Sequence, residues 1–189
     1  MTAESDTELV ARLRNGDPGA FDAAYARHAP RVFRFLLRLC QRRQAAEDVL
    51  QETWLKLAVR APELAPDTEL GAWLFTVARN AWVSRARSEG RLVELDETDV
   101  LAALEPSPEA RAAASSAVRA LERALAALGE GDRELLLLVG VEELSHAAAA
   151  AVLGVTDVVF RQRLHRARAR LASELGRAPL RASSDWTDE

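Results

Sequence analysis

Methionine, tyrosine, cysteine and lysine each occur once in this chain, as Met1, Tyr25, Cys40 and Lys56. A single cysteine rules out an internal disulfide and any cysteine-rich zinc cluster, and its setting among Phe35, Leu36, Leu37 and Leu39 predicts a buried, reduced thiol. Only nine glycines stand in 189 residues, and alanine, leucine, glutamate and arginine fill the places where a sheet protein would carry aromatic and β-branched residues. No stretch approaches the roughly 18 uninterrupted apolar residues of a membrane span, and the acidic, polar start of the chain does not read as a secretion signal. A cytoplasmic protein without membrane insertion is expected. Net positive charge is also missing: the formal charge is −4, so a surface basic all over is excluded and any nucleic-acid site must be local. Lys56 is the only lysine among 25 basic residues, so arginine supplies the rest of the positive charge.

What is present is helix. Ser5 and Glu8 have capping-box spacing ahead of Leu9, Val10 and Leu13, and Asn15-Gly16 should end that helix. Asp17 then caps a second helix with Pro18 in its first turn, carrying Phe21 and Tyr25 inward and His28, as a solvated or dipole-compensating imidazole, near its end. Pro30 to Arg43 is amphipathic, with Arg31, Arg34, Arg38 and Arg42 along a side that no acid interrupts. That side reads as a solvated face, with a supporting surface for DNA as the alternative. From Gln44 to Ala58, residues Ala46, Val49, Leu50, Thr53, Trp54 and Leu57 take the inner face, while Asp48, Gln51, Glu52 and Leu55 cluster outside. An exposed leucine ringed by acids suits a protein contact better than catalysis, because nothing nearby completes an acid–base site.

Leu70 to Arg91 has one apolar side, with Leu74 and Ala78, and one wet side with Thr76, Arg79, Asn80 and Arg87. Arginines beside Trp73 and Trp82 can hold nucleic acid through phosphate contact and stacking. Leu92 to Glu109 carries six acids and no base and closes on Pro106-Ser107-Pro108, the composition of a flexible acidic linker. Ala110 to Leu128 then reads as a helix with Val118, Leu121, Leu125 and Leu128 at core spacing, followed by a helix from Arg133 to about Glu142. Ser145 caps a helix through five alanines to Leu153, Gly154 turns the chain, and Thr156 caps a last helix burying Phe160, Leu164, Ala167 and Leu171. A helix, a glycine turn and a basic helix form a helix-turn-helix pattern. Arg161, Gln162, His165, Arg166 and Arg168 remain outward for a groove. Arg177 to Glu189 lacks periodicity and reads as a mobile tail.

Three strings carry a family resemblance. W-L-F-x-x-A-R-N with Arg87 following resembles the promoter-melting helix of the extracytoplasmic-function (ECF) sigma factors of bacterial RNA polymerase. The string A-E-D-x-x-Q-E-T-x-L, from Ala46 to Leu55, resembles their polymerase-docking segment, and R-L-H-R-A-R-A-R-L, from Arg163, resembles the end of their −35-binding domain. The resemblance implies an all-α protein of two small helical domains joined by the acidic linker: residues 1–91, the linker 92–110, the helix-turn-helix domain 111–176 and the tail 177–189. It implies a protein that binds core RNA polymerase and promoter DNA, recognises and melts promoters to initiate transcription, and answers to an anti-sigma factor. No enzymatic activity, cofactor, metal or small-molecule substrate is implied. By the same resemblance Asp48, Gln51, Glu52 and Leu55 bind polymerase, Arg79, Asn80, Ser84, Arg87 and Arg91 hold the −10 region, and Arg161, Gln162, His165, Arg166 and Arg168 read the −35 region. Ser84 stands where the family usually has Asp, Ala147 to Ala151 where its helix carries acids, and Val158-Val159-Phe160 where it has Gly-Thr-Val. Two other readings stay open: a helix-turn-helix regulator that never engages polymerase, and a degenerate sigma-like interaction protein.

Overall fold

The computed structural model describes residues 4–88 and 116–177. Arg91, the acidic linker and the C-terminal tail lie outside the described residues. The first half holds α1 (Asp6–Arg14), α2 (Pro18–Cys40), α3 (Arg43–Arg60), a 3₁₀ turn (Ala61–Glu63) and α4 (Leu70–Ser88); the second holds α5 (Ser116–Ala127), α6 (Glu130–Leu136), a π turn (Leu137–Val141), α7 (His146–Leu153) and α8 (Asp157–Arg177).

Local chemistry sets most of these ends. The capping box at α1 forms in both directions, with the Ser5 hydroxyl accepting from the Glu8 backbone N–H and the Glu8 carboxylate accepting from the Ser5 N–H at 2.8 Å. The Ser5 N–H, with the Ser5 hydroxyl donating to the same oxygen at 2.9 Å, holds the Glu8 carboxyl below its ordinary value. Asp17 caps α2 by accepting from the Gly19 N–H at 2.9 Å, and Ser145 caps α7 by accepting from the Ala148 N–H at 3.1 Å. Gly154 ends α7 at φ +65, where a side chain would be strained.

Helix α2 differs from the expected pair of helices. It runs unbroken through Pro30, whose missing N–H and ring clash cost about 3 kcal/mol in a bare helix interior. Burial on both sides of the proline, by Ala24, Ala29, Val32, Phe35 and Leu36, offsets that cost. His28 consequently sits mid-helix rather than near an end, and it is buried, with Nε2 3.7 Å from Asp6 Oδ1. Tyr25 corrects another expectation: it is 47% exposed and lies against the Trp54 ring at 4.8 Å, on the rim of the core. Val118 and Leu121 of α5 are likewise exposed, and only Leu125 and Leu128 of that set enter the core.

Burial holds the His28 imidazole below its ordinary value, the nearby Arg27 and Arg31 adding to this and Asp6 opposing it. A base whose folded-state pKa is depressed contributes stability that is present above its unfolded value, near 6.5, and lost as pH falls below it. Unfolding free energy should therefore decline as pH falls below about 6.5, by at most about 1.4 kcal/mol per pH unit from this group. In His28→Leu that part of the slope should vanish in urea titrations; a slope identical to wild type would remove His28 from the account.

The two halves are not separate in this structure. One apolar cluster runs from Leu9 and Phe35 through Leu74 and Phe75 to Leu135, Leu137, Phe160 and Leu164. Helix α7 packs on α4, and α6 touches α2. Arg133, itself buried, donates Nε to the Leu125 carbonyl at 3.0 Å and Nη2 to the carbonyls of Ala126 and Leu128 at 2.8 and 2.7 Å, and reaches across to the Leu39 carbonyl with Nη1 at 3.4 Å. The guanidinium thus collects carbonyl groups from the end of α5, the turn after it and the last turn of α2.

Candidate nucleic-acid and polymerase interfaces

Helix α3 buries Ala46, Val49, Thr53, Trp54 and Leu57 and turns Gln51, Glu52 and Leu55 to solvent. Leu55 is 61% exposed, an unusual state for a leucine in the middle of a packed helix. It separates two shallow apolar hollows. One is bounded by Phe21, Tyr25, Leu50, Gln51 and Trp54, and the other by Glu52, Lys56, Val59, Trp73 and Val77. Asp48 is placed differently from its expected neighbours: it is half-buried, 2.9 Å from Arg85 Nη2 of α4, and accepts from Gln44 Nε2 at 3.0 Å. Glu52 pairs with Lys56 one turn on at 2.6 Å. Exposure of Tyr25 and Val59 extends this surface beyond the residues that periodicity nominated.

On α4, Leu70, Leu74, Phe75, Ala78 and Ala81 form the buried stripe, as their spacing predicts. An open cleft of about 570 Å³ is lined by Arg79, Asn80, Val83, Ser84, Arg87 and Ser88, so four of the five expected strand-holding residues share one surface. Asn80, Ser84 and Arg87 are exposed. Arg79 is engaged: its Nε donates to Glu134 Oε1 of α6 at 2.7 Å. Trp82 beside it donates its indole N–H to Glu130 Oε1 at 2.7 Å. Glu134 is buried, and burial raises its carboxyl above the ordinary range against the opposing effect of Arg79. An acid heading the run Leu135 to Leu138 is a sequence signal for such a partner, since a carboxylate there must be paired or neutralised.

Helix α8 buries Phe160, Leu164 and Ala167 at helical spacing, which turns its basic residues outward. Arg161, Gln162, His165 and Arg166 line one open groove, and Arg168 is exposed close by. Arg161 pairs with Asp157 at 2.6 Å in the first turn. Behind the helix, His146 at the start of α7 lies against the Phe160 ring at 5.5 Å and helps fix the angle between the two helices. A basic helix held by its apolar face, following a glycine turn and a short first helix, has the build of a recognition helix.

Residues 24–92 match the family described as sigma-70 region 2, and residues 118–171 match sigma-70 region 4. The RNA polymerase sigma factor CarQ of Myxococcus xanthus is 33% identical over 174 residues, an alignment covering 89% of this chain and 97% of CarQ. The ECF RNA polymerase sigma factor SigM of Mycobacterium tuberculosis is 31% identical over 172 residues, covering 91% and 85%. This chain belongs to the ECF sigma factors. Like other sigma factors it directs promoter recognition and transcription initiation by RNA polymerase. Solved structures of similar shape include the sigma factor RpoE in complex with the anti-sigma factor NepR from Bartonella quintana, with TM-score 0.71, 27% identity, and 82% of this chain and 96% of that one covered. CnrH in complex with the cytosolic domain of CnrY gives TM-score 0.70 at 25% identity, covering 93% and 99%. Among the described residues no helix of this sigma factor is long and apolar enough to cross a membrane.

Proposed function

We propose that the sigma factor divides its work among three surfaces. Gln51, Glu52 and Leu55, with Asp48 at the edge, dock on core RNA polymerase. Arg79, Asn80, Ser84 and Arg87, with Arg91 beyond the described residues, hold the melted −10 strand. Arg161, Gln162, His165, Arg166 and Arg168 read the −35 duplex. The observation that carries this reading is the groove on α8, where four polar and cationic side chains converge on the face opposite Phe160, Leu164 and Ala167. Residues 1–91 and 111–176 serve as the two working halves. The protein acts in the cytoplasm, has no catalytic role of its own and needs no cofactor. An anti-sigma factor is its regulatory partner, a reading supported by the likeness to RpoE and CnrH, both solved with partner proteins.

Docking is tested at Leu55 and Glu52, which are exposed, so substitution there should alter stability by only about 0.5 kcal/mol. Leu55→Asp with Glu52→Lys should reduce capture of purified core polymerase while circular dichroism stays unchanged. Full retention of polymerase binding by this variant would remove the α3 face from the docking surface.

A further inference from the structure

One side chain on the outward face of α8 has no local task. Val158, the second residue of the helix, is 59% exposed, more than any other large apolar residue described in the second half. Thr156 serves the helix start, its Oγ1 accepting from the Val159 N–H at 3.4 Å, and Asp157 pairs with Arg161. A β-branched residue that neither caps nor pairs loses rotamer freedom in a helix and gains nothing from water. At about 100° per residue, Val158 projects with Gln162 and His165, one and two turns on, from the side opposite the buried Phe160, Leu164 and Ala167. Arg161 and Arg166 flank that column, and with Gln162 and His165 they line the open groove. Val158 therefore heads the centre line of the groove-facing side, at the end of the helix where recognition helices meet base edges. The sigma-factor resemblance leads one to expect Gly and Thr at 158 and 159, so this apolar head is particular to this chain.

We propose that Val158 is a specificity-determining residue of the −35 duplex site, selecting thymine by contact with its C5-methyl group. The proposal rests on the reading of α8 as the −35 helix. In the major groove thymine alone presents a methyl group; the other bases show donors and acceptors at their edges. The valine side chain has no polar atom. Pressed against a cytosine amino group or a purine edge, it strips water and returns no hydrogen bond, which leaves a donor or acceptor unpaired. Against the thymine methyl, two apolar groups leave water together. Discrimination is thus sharpest between thymine and cytosine, which differ at this edge by the methyl group and by an acceptor exchanged for a donor. Gln162 completes the reading. It lies about 6 Å further along the helix axis, close to two base-pair steps of about 3.4 Å, and its amide matches the N6 and N7 edge of adenine. The preferred duplex therefore holds a thymine and, within about two base pairs of it, an adenine.

The test uses holoenzyme assembled from the full chain and purified core polymerase. Duplexes with a randomised −35 segment are selected for binding, and each enriched thymine of a selected duplex is replaced in turn by deoxyuridine, which lacks only the methyl group. At one position the replacement should weaken wild-type binding about four-fold, the worth of one buried methyl group. In Val158→Ala that penalty should fall below about two-fold, because less apolar surface meets the base. Val158→Ile should retain the penalty, and so should Val159→Ala, whose side chain lies at the edge of the face. At the same position 5-methylcytosine should bind better than cytosine with the wild-type chain and no better with Val158→Ala. Val158 is exposed, so these replacements should leave the fold unchanged. No enriched thymine, a uracil penalty at no position, or an equal penalty in Val158→Ala overturns the thymine reading, as does a penalty lost in Val159→Ala alone. Arg161→Ala with Arg166→Ala is the separate arm. Lost binding in that variant beside an absent uracil penalty defeats the thymine reading only, whereas unchanged binding removes α8 from the −35 site and the thymine reading with it.

Discussion

Arg161→Ala combined with Arg166→Ala should abolish stable closed-complex formation. Each arginine that forks onto a base edge accounts for about 1 to 3 kcal/mol of discrimination, so the pair removes roughly 2 to 6 kcal/mol, a loss of about 30-fold at the least. Where an arginine meets phosphate instead, the loss falls on all sequences alike and the salt slope flattens by about one per contact. The two outcomes separate in a binding titration at several salt concentrations against cognate and scrambled −35 duplexes. Both side chains are exposed, so the fold should be unaffected. Arg161 must also leave Asp157 to reach DNA. Asp157→Asn should therefore strengthen rather than weaken duplex binding, an effect in the direction opposite to that of a structural defect. Wild-type affinity in the double alanine variant would exclude the α8 groove as the −35 reader.

Arg133→Met should be the most destabilising single change outside the apolar core. Its guanidinium serves carbonyls of Leu39, Leu125, Ala126 and Leu128; when an apolar side chain replaces it, Ala126 keeps the Gln41 Nε2 donor and Leu125 the Leu128 N–H, while Leu39 and Leu128 lose their side-chain donor. A buried acceptor left without a partner costs about 1 to 3 kcal/mol, and water entering at the rim recovers some of that, so a total near 3 to 5 kcal/mol is expected. For a chain of this size that corresponds to a fall of about 6 to 20 °C in Tm. Arg133→Lys should not rescue, because a lysine ammonium is a compact point donor and cannot span carbonyls that the planar fork reaches at once. Burial already holds the Arg133 guanidinium below its ordinary value. Its retention there argues for hydrogen bonding over charge pairing as its role. Loss of less than about 1 kcal/mol in Arg133→Met, measured by urea unfolding, would mean that the carbonyls find water instead.

Helix positions, caps and buried stripes were legible because they depend on neighbours one turn away. Ser5 with Glu8, Asp17 before Pro18, Ser145 and Gly154 act within a few residues, and the sequence states them outright. The apolar faces of α3, α4 and α8 followed from helical spacing for the same reason, and so did the outward turn of Leu55, Asn80, Arg161 and His165. Family strings supplied the meaning of those faces, which composition alone could not. What the sequence did not reveal was which outward groups meet each other. Arg31 and Arg38 read as a solvated row because their acids, Glu142 and Glu122, lie 111 and 84 residues away. Arg79 read as free for DNA although Glu134, 55 residues on, holds it. His28 and Tyr25 exchanged their expected places, the first buried and the second on the rim, because α2 continues through Pro30 and its burial is set by packing against α1, α3 and α4. Periodicity reports which side of a helix is apolar. Only the tertiary structure decides whether the polar side faces water, DNA or the other half of the same chain, because that depends on which desolvated charges find partners across a distance that local pattern does not encode.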